Sequence, residues 1–263
     1  MPRLTTVLFT TLFAGFFAMT SPGFSADARD RFEARKYDDP AGGKLLYRLL
    51  KPKDYDATKK YPLVVFLHGA GERGDDNGKQ LVHGMNDFAS DEIMAKYPAF
   101  VIAPQCPNNE KWVNVDWGSI KSDMPEKPAD SMRRTIDVVA ALQKEFSIDA
   151  DRIYVTGLSM GGYGSWDALQ RYPQLFAAGA PICGGGDPKQ VEKFKHIPVW
   201  AFHGDADGAV KVERSRDMIA ALKAAGAEPK YTEYKGVGHD SWSASYKNPE
   251  FYAWLFAQKR KSS

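Results

Sequence analysis

Short apolar runs alternate with longer amphipathic stretches along this chain. Residues 45–50 read as an early strand, and residues 63–67 and 100–103 are uninterrupted apolar runs, the pattern of strands covered on both faces. Residues 129–146 place Met132, Ile136, Val139 and then Leu142 or Phe146 at a helical period. Residues 153–156 are a further strand followed by Gly157, and residues 161–172 read as a helix that Pro173 ends. Strand patterns return at 178–182, 199–202 and 231–234, with helical stretches at 212–225 and 249–258. This alternation predicts an α/β fold: a mostly parallel, twisted sheet with helices on both faces. Residues 104–128 show no period, are rich in proline and contain Trp112 and Trp117. A loop of that length in a compact domain is usually functional or mobile.

Composition narrows the class. The chain has 263 residues, enough for one α/β domain and short for two. Its 15 Phe, 12 Tyr and 6 Trp exclude intrinsic disorder. A formal net charge of +2, with no block of like charges, argues against a dedicated nucleic-acid binder. Two cysteines and no CxxC pair argue against a disulfide scaffold or a zinc site. The N-terminus changes the picture more. Arg3, the apolar run from Leu4 to Met19, the turn at Ser21-Pro22-Gly23 and the small residues Ser25 and Ala26 have the order of a secretory signal peptide. Residues 1–26 are therefore expected to be a signal, and residues 27–263 one catalytic domain. That domain is expected to be secreted or periplasmic, with no membrane span after cleavage. An uncleaved anchor is the alternative, but the run is short for a span of about 20 residues.

The strongest chemical signal is Gly157-Leu-Ser159-Met-Gly161, between a β-branched strand and a helix. A serine hydroxyl is a weak nucleophile. It needs a sharp turn to expose it, and small flanking residues allow that turn. It also needs a base, and the base needs an orienting acid. Of five histidines, His239 sits in a glycine-flanked loop after the last expected strand, whereas His203 ends a strand and is read as packed behind the site. His83 and His196 lack such a context and are read as surface or satisfied core residues. Asp205 and Asp207 both follow the strand that ends at His203, and either gives the order nucleophile, acid, histidine. The negative oxygen of a tetrahedral intermediate needs backbone N–H donors. Met160, directly after the serine, supplies one, and Ala70 in His68-Gly-Ala-Gly71 the other.

These segments resemble an α/β-hydrolase of the prolyl-oligopeptidase and dienelactone-hydrolase-like branch, which includes secreted esterases, phospholipase/carboxylesterase-like proteins and peptidases. The resemblance is carried by Leu67-His-Gly-Ala-Gly-Glu-Arg-Gly74, Ala103-Pro-Gln-Cys-Pro107, the stretch from Asp151 to Gly164, Pro181-Ile-Cys-Gly-Gly-Gly186, His203-Gly-Asp-Ala-Asp-Gly-Ala-Val210 and Gly236-Val-Gly-His-Asp-Ser-Trp242. It implies the α/β-hydrolase fold, places the acid on Asp207 through the pattern H-G-x-x-D-x-x-V, and places the oxyanion donor on Ala70. Lys211 departs from the proline common in relatives. In the sheet the resemblance implies, two strands separate Cys106 from Cys183, so both thiols are expected to be free.

The expected activity is hydrolysis of a carboxylic ester through Ser159, His239 and Asp207 and an acyl-enzyme, a chemistry that requires neither metal nor organic cofactor. The substrate is expected to be a small-molecule or oligomeric ester. A serine peptidase with the same triad is the alternative, and a non-catalytic binding protein on this fold is the reading from another class. Trp112, Trp117, Tyr163 and Trp242 are expected to line the substrate pocket, while Trp166 is as well explained by core packing. Glu72, Arg73 and Asp75 are expected to brace the oxyanion loop or meet a polar leaving group.

Overall fold

The uninterrupted apolar runs occupy the middle of one eight-stranded sheet. A computed structural model describes Met1 and residues 27–260; apart from Met1, the expected signal lies outside the described residues. In chain order the strands are β1 (Glu33–Asp38), β2 (Lys44–Leu50), β3 (Tyr61–Leu67), β4 (Phe100–Gln105), β5 (Ile148–Leu158), β6 (Ala178–Ile182), β7 (Trp200–Gly204) and β8 (Lys230–Tyr234). The helices are α1 (Met85–Phe88), α2 (Asp91–Lys96), α3 (Asp130–Glu145), α4 (Met160–Arg171), α5 (Val191–Phe194), α6 (Glu213–Ala224), α7 (Trp242–Lys247) and α8 (Pro249–Ala257). Across the sheet the order is β1-β2-β4-β3-β5-β6-β7-β8. β1 and β2 pair antiparallel, as do β2 and β4, and the six strands from β4 to β8 run parallel.

Every residue of β3 is buried, and successive side chains feed opposite cores. Leu63, Val65 and Leu67 pack with Met132, Val139 and Leu142 of α3, Trp166 and Leu169 of α4 and Met218 of α6. Val64 and Phe66 face Met85 and Phe88 of α1, Tyr246 of α7 and Phe251 and Leu255 of α8. Both faces are thus covered at the middle of the sheet, and β3, β4, β6 and β7 are buried throughout and lack polar alternation. β1 departs from this rule and was not expected from the sequence. It is the outer antiparallel strand, mostly exposed, and its Arg35 is held by Glu145 at 2.8 Å rather than by an apolar core.

The topology prepares a site. From β3 the chain passes to β4 on one side and returns through α3 to β5 on the other. Loops leaving β3 and β5 therefore diverge, and the crevice opens at the carboxyl ends of the strands. Those ends are flush: Leu67 pairs with Gly157, Leu158 with Ile182 and Gly204 with Tyr234.

The same order sets the thiols apart. Cys106 follows β4 and Cys183 follows β6, with β3 and β5 between them. Three strand spacings are about 14 Å, against the roughly 7 Å between Cα atoms that a disulfide tolerates. Both cysteines are free and buried, and burial pushes the Cys106 thiol up to about 12. Unfolded, non-reduced protein is expected to gain two alkyl adducts by mass. Gain of adducts only after reduction would show a bridge.

Candidate active site

Ser159 stands at the turn between β5 and α4 with φ +53° and ψ −116°, a strained conformation that only close packing maintains. The packing leaves no room for side chains beside it. A Cβ on Gly157 would lie 2.4 Å from the Leu67 carbonyl oxygen, and one on Gly161 would lie 1.8 Å from that oxygen. The two glycines of the motif are therefore required by main chain pressed against main chain. From below, the Ser159 N–H donates to the Ile182 carbonyl at 3.0 Å, with Cys183 Sγ at 3.3 Å.

The structure brings Ser159, His239 and Asp207 together. The Ser159 hydroxyl meets His239 Nε2 at 2.9 Å, and His239 Nδ1–H meets Asp207 Oδ2 at 2.7 Å. Asp207 is buried and its other oxygen accepts the N–H groups of Ala209 at 2.8 Å and Val210 at 2.9 Å. Burial pushes the Asp207 carboxyl up, but bonds from His203, His239, Val210 and Ala209 outweigh it and hold the group well below the usual carboxylate range. Asp205 is exposed and does different work. Its carboxylate accepts the Gly236 N–H at 2.6 Å, while the Ala206 N–H donates to the Val237 carbonyl at 3.0 Å. These bonds hold the loop that carries His239 against the end of β7.

Ala70 and Met160 each open a helical turn, Ala70–Glu72 and α4 respectively. N–H groups at such positions have no intrahelical acceptor. Among the described residues neither finds a protein acceptor, so both are available to a ligand oxygen. His68 fixes the loop behind Ala70. Its Nδ1–H donates to the Gly69 carbonyl at 2.6 Å and its Nε2 accepts the Cys106 N–H at 2.9 Å. Arg73 braces the same loop through the Ala70 carbonyl at 2.9 Å. Asp76, rather than Asp75, holds the next turn, accepting from the Gly78 and Lys79 N–H groups and from Gln105.

The neutral His68 gives the fold an acid-sensitive point. Burial lowers its pKa from 6.5 to about 4. Above the unfolded value both states are neutral. Between the two values the unfolded chain takes a proton that the folded chain refuses, so stability falls as pH falls through this window, by ~3 kcal/mol in all. The drop in urea midpoint between pH 7 and pH 4.5 is expected to shrink in His68→Gln. An unchanged drop would assign acid sensitivity elsewhere.

The four expected pocket aromatics separate. Trp242 lies at the site, its ring 5.2 Å from that of His239 and perpendicular to it. Trp117 is half-buried, with Lys111 Nζ 4.4 Å from its ring centre. Trp112 requires correction. It is fully buried in the core, and its indole N–H donates to the His68 carbonyl at 2.9 Å, because an apolar ring of that size is used to seal the loop against α4. Tyr163 is likewise buried and donates to the Trp117 carbonyl at 3.2 Å; it props the loop rather than presenting an open wall. Trp166 is core, packed on Phe194. His83, read from sequence as surface or core, stands 5.3 Å from the Trp242 ring and 3.6 Å from Glu72.

Sequence reasoning did not identify Arg214. It is buried and donates to the Ile120 carbonyl at 2.9 Å, the Ser122 hydroxyl at 2.7 Å and the Gly186 carbonyl at 3.3 Å. With the Met124 N–H on Asp187 at 3.1 Å, it ties the irregular segment after β4 across the carboxyl ends of the strands. A single arginine on an amphipathic helix carries no sequence signal of this role. Cys183 Sγ, an Asp207 oxygen and a His239 nitrogen lie within 4.8 Å of one another. A metal ion held there would have to displace the proton that His239 shares with Asp207.

The sequence profile described as Phospholipase/Carboxylesterase matches residues 55–249. An uncharacterized secreted protein of Arthroderma benhamiae is 26% identical over 248 residues, covering 80% of this chain and 25% of that protein. The carboxylesterase SOBER1 of Arabidopsis thaliana is 25% identical over 215 residues, covering 76% of this chain and 92% of its own. Among solved structures, a thermostable esterase superposes with a TM-score of 0.83 at 44% identity, covering 89% of this chain and 64% of that one. The chain therefore spans a quarter of the Arthroderma benhamiae protein's length and less than two thirds of the thermostable esterase's.

Proposed function

The chain belongs to the phospholipase/carboxylesterase family of α/β-hydrolases, and on that premise we propose that it hydrolyses carboxylic esters with Ser159 as nucleophile. The observation that carries this reading is the unbroken chain of contacts from Ser159 Oγ through His239 to Asp207, at 2.9 and 2.7 Å. Ser159 Oγ attacks the ester carbonyl carbon while its proton passes to His239 Nε2. The Asp207 carboxylate holds the imidazole with its other proton on Nδ1 and balances the imidazolium that forms. Ala70 and Met160 N–H groups receive the oxyanion. Collapse expels the alcohol, which takes the His239 proton and leaves an acyl-serine. Water then attacks, giving its proton to His239, and the acid departs as Ser159 recovers a proton. Trp242 and Trp117 are the side chains proposed to contact the substrate's apolar groups.

Turnover of a short p-nitrophenyl ester, then of aryl, acyl and sugar esters, tests the proposal beside a panel of fluorogenic peptides. Ester turnover is the expected result. Turnover of peptides alone would make the protein a peptidase, and turnover of neither by folded protein would make it a binding protein.

Export belongs to the same proposal. It is supported by the N-terminal pattern of Arg3, apolar run and small residues and by the name of one relative as a secreted protein. Among the described residues no helix is long and apolar enough to cross a membrane. N-terminal sequencing of native protein is expected to begin near Ala26 or Asp27; recovery of Leu4 to Met19 would overturn export with cleavage.

A further inference from the structure

Behind the acid stands a second histidine that the mechanism does not use. His203, at the end of β7, is fully buried. Its Nε2 faces two oxygens, Asp207 Oδ2 at 3.2 Å and the Val210 carbonyl at 3.1 Å. A lone pair on that nitrogen would point at both acceptors, so the geometry requires the proton there. Its Nδ1 lies 2.7 Å from the Ser215 hydroxyl on α6, which is also 3.1 Å from the Gly184 carbonyl. The Ser215 hydroxyl donates to that carbonyl, and its contact with Nδ1 anchors the far side of the ring. The charged groups around this pair are Asp207 itself, His239 beyond it, and Glu233 on β8, whose carboxylate is engaged by Arg216 at 2.6 Å and the Tyr231 hydroxyl at 2.8 Å.

We propose that His203 is a positioning residue for the reaction: anchored at Nδ1 by Ser215, it donates Nε2–H to the same Asp207 oxygen that receives His239. The inference rests on the ester-hydrolase reading for its effect on turnover, but not for the place of the Nε2 proton. Asp207 Oδ1 is fixed by two backbone N–H groups. Without His203, Oδ2 would depend for its place on His239 alone, the ring whose charge changes during each turnover. The second donor keeps the carboxylate aimed while that charge appears and disappears. His203 touches neither Ser159 nor the space above it, so its loss acts on kcat and leaves KM nearly unchanged.

Two measurements test this. In 15N-labelled wild-type protein at neutral pH, the resonances of His203, assigned by their absence in His203→Gln, are expected to show a protonated Nε2. An unprotonated Nε2 would overturn the assignment. This readout stands even if no ester is turned over, so it separates failure of the inference from failure of the functional reading. Given ester turnover by wild type, His203→Leu is expected to lower kcat by about 10- to 100-fold with KM within about twofold. His203→Gln, which returns an N–H near the Nε2 position, is expected to recover to within about fivefold of wild type. Wild-type kcat in His203→Leu, or equal loss in both variants with folded protein, would show that the ring only fills space. Should His203→Leu fail to fold, the Nε2 proton and the Gln variant still decide.

Discussion

Ser159→Ala is expected to lower ester turnover by on the order of 10³-fold or more, with the fold retained. The hydroxyl is the only atom group removed, and it makes one side-chain bond, to His239 Nε2 at 2.9 Å. The elbow itself is held by main-chain contacts, through Leu67 and Ile182, which alanine leaves in place. Alanine also fits the left-handed backbone at this position no worse than serine does, since both carry one Cβ. Unchanged far-ultraviolet circular dichroism and thermal midpoint, with turnover lost, is the expected pair of observations. Ester hydrolysis near the wild-type rate would remove Ser159 from the mechanism.

Asp207→Asn is expected to cost on the order of 10⁴-fold in kcat. The reason lies in which oxygen can be spared. Asp207 Oδ1 accepts two backbone N–H groups, so asparagine must keep its carbonyl oxygen there and turn its NH₂ toward His239 and His203. An NH₂ facing His239 Nδ1 requires a lone pair on that nitrogen and moves the ring proton to Nε2, opposite the Ser159 hydroxyl. The base then has nothing with which to take the serine proton, although the heavy atoms have scarcely moved. Asp205→Asn is expected to cost less than about tenfold, because Asp205 bonds only the Gly236 N–H of the supporting loop and an amide oxygen accepts that bond as well. Kinetics of the two variants side by side check the assignment. Greater loss in Asp205→Asn would exchange their roles.

The legible parts of this protein were those whose physics is local. β3 and β4 stood out because burial on both faces forbids polar residues in them. The elbow stood out because main-chain contact at Gly157 and Gly161 forbids side chains there. β1 was not legible: an outer strand paired on one side has no core to feed, and its alternating charges resemble a loop. The short helices α1, α2, α5 and α7 also went unread, because one or two turns show no full period. At the site, Asp207 and Asp205 both follow the same strand, and only the H-G-x-x-D-x-x-V pattern of the resemblance favoured Asp207. What separates them is that one side chain turns inward to four N–H groups and the other outward to a loop. Trp112, in the long segment after β4, and Tyr163, just past the elbow, were expected to line the substrate pocket. Burial placed them behind the loop, a choice made by tertiary packing rather than by sequence neighbourhood. Arg214 and Ser215 carried no sequence signal, since their partners lie on separate segments: Ile120, Ser122 and Gly186 for the arginine, His203 and Gly184 for the serine.

Several of the bonds that tie down the long segment after β4 go to its main-chain atoms. His68 holds the Cys106 N–H, Tyr163 the Trp117 carbonyl, Arg214 the Ile120 carbonyl, Asp187 the Met124 N–H and Arg171 the carbonyls of Pro125 and Glu126. Every residue, whatever its side chain, offers the same carbonyl, and all but proline the same amide. The strap can therefore exchange its exposed side chains Asn114, Ile120 and Lys121 without losing these fastenings. Those positions can drift by inheritance or be varied in the laboratory while the fastened main chain stays in place. A mutational library confined to them is expected to hold few misfolded members.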